Sequence, residues 1–190
     1  LFGQNIFTKS KVNLSLFAKA RFEQIDFSGL DFNQCQFIEG EIIACDFSHA
    51  ILNQAGFMQA NLTNSRFDGA QMEMANLYEA NLEGVSMEKT NLEKASMQKA
   101  KFNRTSIIYA NLEMAQMTDI IVKDSLFSGS NLSYADLSNA IIEDTSFSDT
   151  QLFQAKMHEV VDQNTSWDGA NRSAAQATDP KKQKAEQWGK

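Results

Sequence analysis

A large apolar residue recurs at every fifth position of this chain, from Phe2 to Met157, without an insertion or a deletion. The residue two positions before it is mostly small, most often alanine. On an α-helix, steps of five residues would spread the apolar side chains around the whole surface. On one long strand they would alternate between the two faces. The period is satisfied only if the chain turns a corner every five residues, so that each large residue points into a common interior.

Four such corners close a square coil of 20 residues, and stacked coils bury a continuous core. Residues one coil apart should then lie above one another, at about the 4.8 Å spacing of neighbouring strands. Acids and bases do recur at this separation: Lys11 with Asp31, Lys19 with Glu39, Arg21 with Glu41, Asp46 with Arg66, Glu79 and Asp119 with Lys99, Arg104 with Asp124, Lys123 with Glu143, and Asp136 with Lys156. The charges therefore support a stack of about eight coils.

The repeats resemble those of the pentapeptide-repeat family, whose pattern is A(D/N)LXX. The triplets that carry the resemblance are Ala60-Asn61-Leu62, Ala75-Asn76-Leu77, Ala80-Asn81-Leu82, Ala110-Asn111-Leu112 and Ala135-Asp136-Leu137. The resemblance covers about residues 1–160. It implies an all-β fold, a right-handed quadrilateral β-helix, and the handedness comes from the resemblance alone.

We expect the solenoid to occupy residues 1–170, followed by a polar, basic tail at 171–190. The tail is predicted to be mostly disordered or to form a short helix that starts near Pro180. Trp167 keeps the register of the inward residues although Asp162 interrupts the neighbouring column. We therefore place Trp167 near a C-terminal cap, because a solenoid end exposes apolar side chains and unpaired backbone.

The repeat is already running at Phe2, which predicts that the chain is a piece of a longer protein whose preceding domain covers the first coil. Self-association through uncapped solenoid ends is the alternative. The sequence shows no membrane span and no signal peptide. Cytoplasmic placement is the default expectation.

The sequence contains few residues or motifs that are typical of catalytic or metal sites. His49 and His158 fall at outward positions far apart in the stack, and Cys35 and Cys45 fall at inward positions, as buried reduced thiols would. No phosphate loop, CxxC or HExxH motif occurs. We expect no catalytic residue, no metal site, no cofactor and no small-molecule substrate, because a packed solenoid has no pocket that could shift a pKa or exclude water. The chain is predicted not to be an enzyme.

Function should therefore lie on the outside, where vertical columns can join apolar residues into patches. Two columns are candidate protein-docking surfaces: Ile38, Met58 and Tyr78 in one, and Met74, Met114 and Tyr134 in the other. Ordinary filling between neighbouring side chains is the alternative explanation. A third column, formed by Ile121, Ile141 and Val161, lies towards the C-terminal end and is assigned with Trp167 to the candidate cap.

The chain is acidic, with a net charge of −7. The resemblance implies a second kind of surface, because the best-known activity of the family is mimicry of duplex DNA in binding type II topoisomerase. The candidate patch is Asp68, Glu73, Glu88, Glu93 and Glu113. Its charge density is well below that of duplex DNA, and the sequence has no inserted loop of the kind that topoisomerase-protecting members carry.

The basic residues Lys89, Lys94, Lys99 and Arg104 occupy equivalent positions on the four sides of one coil. A duplex touches only one side of such a belt, so direct nucleic-acid binding is not expected. The sequence favours a non-catalytic scaffold that binds another protein, or another domain of the same protein, within a larger bacterial protein such as a type VI secretion accessory protein. The alternative is a DNA-mimicking binder of DNA gyrase.

Overall fold

The computed structural model describes residues 14–187. Within them the chain forms a parallel β-solenoid of about seven turns, which confirms the predicted fold class. Several predicted features lie outside the described residues, namely the inward residues Phe2, Phe7 and Val12, the first coil and the Lys11–Asp31 pair.

Six three-residue strands lie on one side of the coil: β1 (Arg21–Glu23), β2 (Glu41–Ile43), β3 (Lys101–Asn103), β4 (Ile121–Lys123), β5 (Ile141–Glu143) and β6 (Val161–Gln163). They pair in parallel as β1–β2 and as β3–β4–β5–β6. Every partner is one coil away, as in Phe102 with Val122. The other sides are joined by single bridges with the same offset, from Leu16–Gln36 to Lys156–Gln176.

We number the four sides by their first described complete coil. Side 1 contains residues 21–24, side 2 contains 26–29, side 3 contains 31–34 and side 4 contains 36–39, together with their equivalents at 20-residue intervals. In each side the second residue points inward, and the first, third and fourth point outward or sit at the corner.

The corners are made by residues in the left-handed backbone region. The last residue of a side has a positive φ, as in Gln54 at 56° and Tyr134 at 60°, and most of these residues are not glycine. At a typical corner the Ala55 N–H donates to the Leu52 carbonyl at 3.0 Å. A positive φ at the third residue of a four-residue turn with this bond is the pattern of a type II turn.

The Asp or Asn at the first position of a side supports its own turn. Its side-chain oxygen accepts the N–H of the residue two positions on, as Asp46 does from Ser48 at 2.8 Å. On side 3, the amides also form a ladder between coils, in which Asn111 Nδ2 donates to Asn91 Oδ1 at 3.0 Å. The bond within the turn accounts for the preference for Asp or Asn in the repeat, and the ladder, which needs an N–H donor, favours Asn.

The interior has two differently built parts. In the aromatic half, residues 17–67, phenylalanine rings stack between coils; the Phe47 and Phe67 centroids lie 5.1 Å apart with an interplanar angle of 2°. In the hydroxyl half, residues 85–157, aliphatic residues dominate and buried Ser and Thr occupy several small positions. Cys35 and Cys45 are buried in the aromatic half as free thiols, and burial raises the pKa of both.

Some corners are open, without the usual turn bond, and a hydroxyl from the next coil replaces it. The Ala110 N–H donates to Ser130 Oγ at 3.0 Å, and Ser130 Oγ in turn donates to the Ile107 carbonyl. The Thr105 N–H donates to Ser125 Oγ in the same way. Because a buried N–H without a partner is costly, these hydroxyls allow the corner to open without leaving backbone unsatisfied.

The C-terminal end is covered by Trp167 and the segment after it. The Trp167 ring stacks on Phe147 with centroids 4.5 Å apart, and its Nε1 donates to Asp162 Oδ2 at 2.7 Å. The Arg172 guanidinium lies over the indole, 4.7 Å from the ring centroid, and contacts the same carboxylate at 3.3 Å. Asp162, which interrupts the apolar column, is therefore the group that holds the indole and guanidinium in place.

Beyond the last coil, a 3-10 turn at Arg172–Ala174 leads to the Lys156–Gln176 bridge and then to helix α1 (Pro180–Gln187). His158 keeps the outward position predicted for it, but this path covers it. His158 is only 5% exposed, because the segment passes beneath it and the Asp179 N–H donates to its Nδ1 at 3.3 Å. Helix α1 itself packs against none of the strands β1–β6.

Candidate interaction surfaces

The part of the chain that the structure describes shows few features of a catalytic or metal site. No group of three or more His, Cys, Asp or Glu residues among residues 14–187 could hold a metal ion. A small cavity under the terminal segment is lined by Met157, Val160 and Arg172, among others, and brings no catalytic pair together. No helix within these residues is long and apolar enough to span a bilayer.

The first predicted docking column, Ile38, Met58 and Tyr78, lies on side 4, and all three side chains are half-buried. Lys99 Nζ lies 5.7 Å from the centroid of the Tyr78 ring and covers part of it. Because these side chains are half-buried, this column presents less exposed apolar surface than the second predicted column does.

The second predicted column, Met74, Met114 and Tyr134, lies at the corner between sides 3 and 4, and each side chain is exposed. The Tyr134 ring, 46% exposed, meets Phe153 edge to face at 5.4 Å, and Phe153 is 54% exposed. We call Met114, Tyr134 and Phe153 the apolar strip. The sequence argument missed Phe153, although its position 19 residues after Tyr134 puts it beside that residue one coil away.

Three of the predicted acidic residues, Glu73, Glu93 and Glu113, lie on side 3 next to this column. Lys94 sits among them, with its Nζ 2.6 Å from Glu93 Oε1 and 3.9 Å from Glu73 Oε1. Its hydrogen bond to Glu93, with the nearby carboxylate charges, raises the pKa of Lys94. The column is therefore acidic but partly neutralised at its centre.

The other two predicted acids, Asp68 and Glu88, lie around the corner on side 2. Arg66 bridges Asp46 at 3.6 Å and Asp68 at 2.9 Å. Burial opposes ionisation of Asp68, but hydrogen bonds from Ser86, the Glu88 N–H and Arg66 outweigh it, so the pKa of Asp68 is lowered. The five acids of the candidate patch thus occupy two sides, and Asp68 is engaged within the rod.

The third apolar column lies on the outer face of β4, β5 and β6. Ile121, Ile141 and Val161 are neighbours through strand pairing, and each is exposed. Helix α1 does not cover them, since it contacts none of the strands. Of the residues assigned to the cap, Trp167 is the one that closes the end of the core.

Comparison with known proteins agrees with this geometry. The model of the family described as pentapeptide repeat region matches residues 10–112, more than half of the chain. The chain belongs to the pentapeptide-repeat family. A second model, of eight copies of the pentapeptide repeat, matches residues 123–158. No curated protein sequence matches this pentapeptide-repeat protein.

Solved structures of other pentapeptide-repeat proteins share the fold. One is HetL, involved in heterocyst differentiation regulation in the cyanobacterium Nostoc sp. strain PCC 7120, with 22% identity, 88% of this chain and 83% of HetL covered, and a TM-score of 0.63. Another comes from the thylakoid lumen of Arabidopsis thaliana, with 24% identity, 59% of this chain and 71% of that chain covered, and a TM-score of 0.51. At these identities the likeness shows the fold alone.

Proposed function

We propose that this pentapeptide-repeat protein is a non-catalytic scaffold that binds another protein through the apolar strip. The observation that carries the proposal is the exposure of Met114, Tyr134 and Phe153 side by side on three successive coils. Exposed apolar side chains are ordinary when scattered, but a contiguous group with aromatic members is typical of binding surfaces.

The rigidity of the rod supports this function. Tyr134 and Phe153 stand on coils whose backbones are bonded to the coils above and below, as in the Tyr134 N–H bond to the Phe153 carbonyl at 2.8 Å. A partner that docks there has little backbone to order, so less of its contact energy is lost to conformational entropy. A scaffold needs this property, whereas catalysis needs a cleft.

The alternative, a DNA mimic that binds gyrase, stays a prediction. The placement of Lys94 between Glu73 and Glu93 argues against it, because a mimic gains from a continuous line of negative charge. Membership of a larger bacterial protein, such as a type VI secretion accessory protein, and cytoplasmic placement also stay predictions. A supercoiling assay with gyrase tests the alternative directly, and salt-sensitive inhibition would favour it over the scaffold.

Quantitative capture from a lysate of the source organism tests the scaffold function. We expect the wild-type protein to retain a partner that the Tyr134→Ser, Phe153→Ser double variant loses by at least about tenfold, since these aromatic side chains would anchor the contact. The matched control is Tyr109→Ser, which removes an exposed tyrosine from side 2. Equal capture by the double variant and the wild type would exclude the apolar strip as the docking site.

A further inference from the structure

The chemistry surrounding the apolar strip narrows what can dock on it. On side 3 the outward acids Glu73, Glu93 and Glu113 occupy three successive coils, and the apolar strip begins beside Glu113 and continues over the next two. Along the axis of the rod the surface therefore passes from an acidic end, which also carries the exposed Met74, to an apolar end. Lys94 offsets one charge and leaves the acidic end net negative.

We propose that the occupant of this surface is an amphipathic α-helix of a partner protein, basic at one end of its contact face and apolar at the other, lying along the axis of the rod. The proposal rests on the scaffold function and gives that docking site its partner chemistry. Its first support is charge complementarity, because basic side chains would pair with carboxylates that Lys94 leaves incompletely neutralised.

The spacing of the coils supplies the second support. Successive coils rise by about 4.8 Å, whereas one helical turn rises by about 5.4 Å. Side chains on one face of a strand repeat at roughly 6.7 Å. Over the four coil steps from Glu73 to Phe153 a helix therefore drifts from the column by about 2.4 Å and a strand by about 7.6 Å. A helix stays within about half a coil of the column, whereas a strand slips by more than one coil.

Backbone pairing gives a strand no compensating advantage here. The bridges of the solenoid join coil to coil, as in Asn111 with Asn131 on side 3, so its own strands run across the axis. A strand laid along the axis would cross them at a right angle and could form no ladder. From the coil of Glu73 to the coil of Phe153 the surface spans roughly 19 Å, which matches about 13 residues of helix.

A displayed library of 14-residue helical segments, selected on this protein at low salt, tests the proposal. Four positions on one face of each segment are varied among Lys, Glu, Leu and Ser in an Ala and Gln background. We expect enrichment of segments with Lys at two adjacent positions at one end and Leu at the other two. Selected segments should weaken about tenfold or more with Glu73→Gln, Glu113→Gln, and again with Tyr134→Ser, Phe153→Ser.

Two variants control for general effects: Asp124→Asn removes an acid from side 1, and Tyr109→Ser removes an aromatic from side 2. Both should leave binding within about twofold, since they lie away from side 3. The helix proposal is overturned if no segment is enriched, if acidic segments are enriched, or if binding ignores the side 3 variants. In those cases a partner captured through Tyr134 and Phe153 would keep the docking function while excluding a basic helix as its ligand.

Discussion

The aromatic half and the hydroxyl half follow the same register but join their coils by different means. In the aromatic half, rings such as Phe37 and Phe57 stack at 5.0 Å, so the contact between coils is made by large side chains at the centre. In the hydroxyl half, Ser and Thr side chains tie the corner of one coil to the next. The difference is one of proportion, because Ser65 accepts from the Cys45 N–H in the aromatic half, and Phe127 stacks on Phe147 with centroids 4.5 Å apart in the hydroxyl half.

The difference shows that, where fewer rings stack at the centre of the core, hydrogen bonds at the corners can hold successive coils together instead. Ring stacking tolerates small changes in corner geometry, because dispersion falls off gradually over a large contact area. A hydroxyl bridge depends on a single oxygen, and its removal leaves a buried donor without a partner. The two halves should therefore respond differently to substitutions of comparable size.

The largest expected effect is the loss of a stacked ring. Phe47→Ala should lower the free energy of unfolding by about 3–5 kcal/mol, because Phe47 is fully buried between Phe27 and Phe67. Leu132→Ala removes a fully buried aliphatic side chain from side 3 of the hydroxyl half and should cost about 1 kcal/mol less, since leucine has no ring to stack. Urea unfolding followed by circular dichroism measures both, and an equal cost would mean that stacking adds nothing.

Thiol labelling locates the effect of the first substitution. The buried thiols of Cys35 and Cys45, whose pKa values are raised by burial, should react slowly in the native protein. Phe47→Ala should speed labelling well before global unfolding, while Leu132→Ala should not. Labelling at the same rate in both variants would show that the halves open together.

The next effect is the loss of a bridge. Ser130→Ala should cost about 1–3 kcal/mol, because the Ala110 N–H would be left buried without a partner. Thr90→Val is the matched control: Thr90 Oγ1 donates to the Phe67 carbonyl, which keeps its bond from Ala70. It should cost about 1 kcal/mol or less. If thermal unfolding finds the two equally costly, open corners do not depend on the bridge.

A smaller effect should appear in acid, at two partly buried carboxylates: Asp136 in the hydroxyl half and Asp68 just after the aromatic half. The pKa of Asp136 is lowered although burial opposes this, because Ser138 and Lys156 stabilise the carboxylate, and the pKa of Asp68 is lowered by its own partners. A lowered folded pKa gives stability above the ordinary value of 3.8 that is lost as pH falls through the folded pKa.

Asp136→Asn and Asp68→Asn should each flatten the fall in unfolding free energy below about pH 4, as measured by urea unfolding at several pH values. Asp144→Asn on side 1 is the control, because it removes an exposed carboxylate that accepts a surface hydrogen bond from Asn164. An unchanged slope in both variants would show that these two carboxylates do not set the response to acid.

The smallest effect should come from exposed charge pairs. Lys123 lies 3.6 Å from Glu143 in the hydroxyl half, and Lys19 lies 3.3 Å from Glu39 in the aromatic half. Replacing either lysine by Ala should change the unfolding free energy by about 0–1 kcal/mol, and the change should vanish in high salt. A larger effect that survives high salt would show that these pairs contribute more to stability than exposed ion pairs should.

The fold was predictable from sequence because a single period fixes it. Once Phe and Leu recur every five residues, the corners, the coil and the offset of 20 residues follow, and the structure confirms pairs such as Lys19 with Glu39 and Asp136 with Lys156. The exceptions are instructive. Arg21 pairs with Glu23 rather than Glu41, since a long exposed side chain can choose between a neighbour along its strand and one in the next coil.

The surface was less predictable, because the repeat assigns each residue a direction but not an exposure. Tyr78 and Tyr134 both point outward, yet Tyr78 is half-buried and Tyr134 is exposed, since their neighbours differ. His158 became buried through a chain segment that leaves the repeat and so carries no periodic signal. Phe153 could be assigned to the apolar strip only once its ring contact with Tyr134 was seen.

The square cross-section has a consequence for how such a rod can evolve. Duplication of a single pentapeptide would leave every inward residue inward, because the corner period is unchanged. Yet each outward residue downstream of it would move to the next side, so that Tyr134 and Phe153 would turn by a quarter of a revolution relative to Glu73 and Glu93. Gain or loss of five residues thus turns one surface relative to another at little cost to the core. Gain of twenty residues only lengthens the distance between them, and loss of twenty only shortens it.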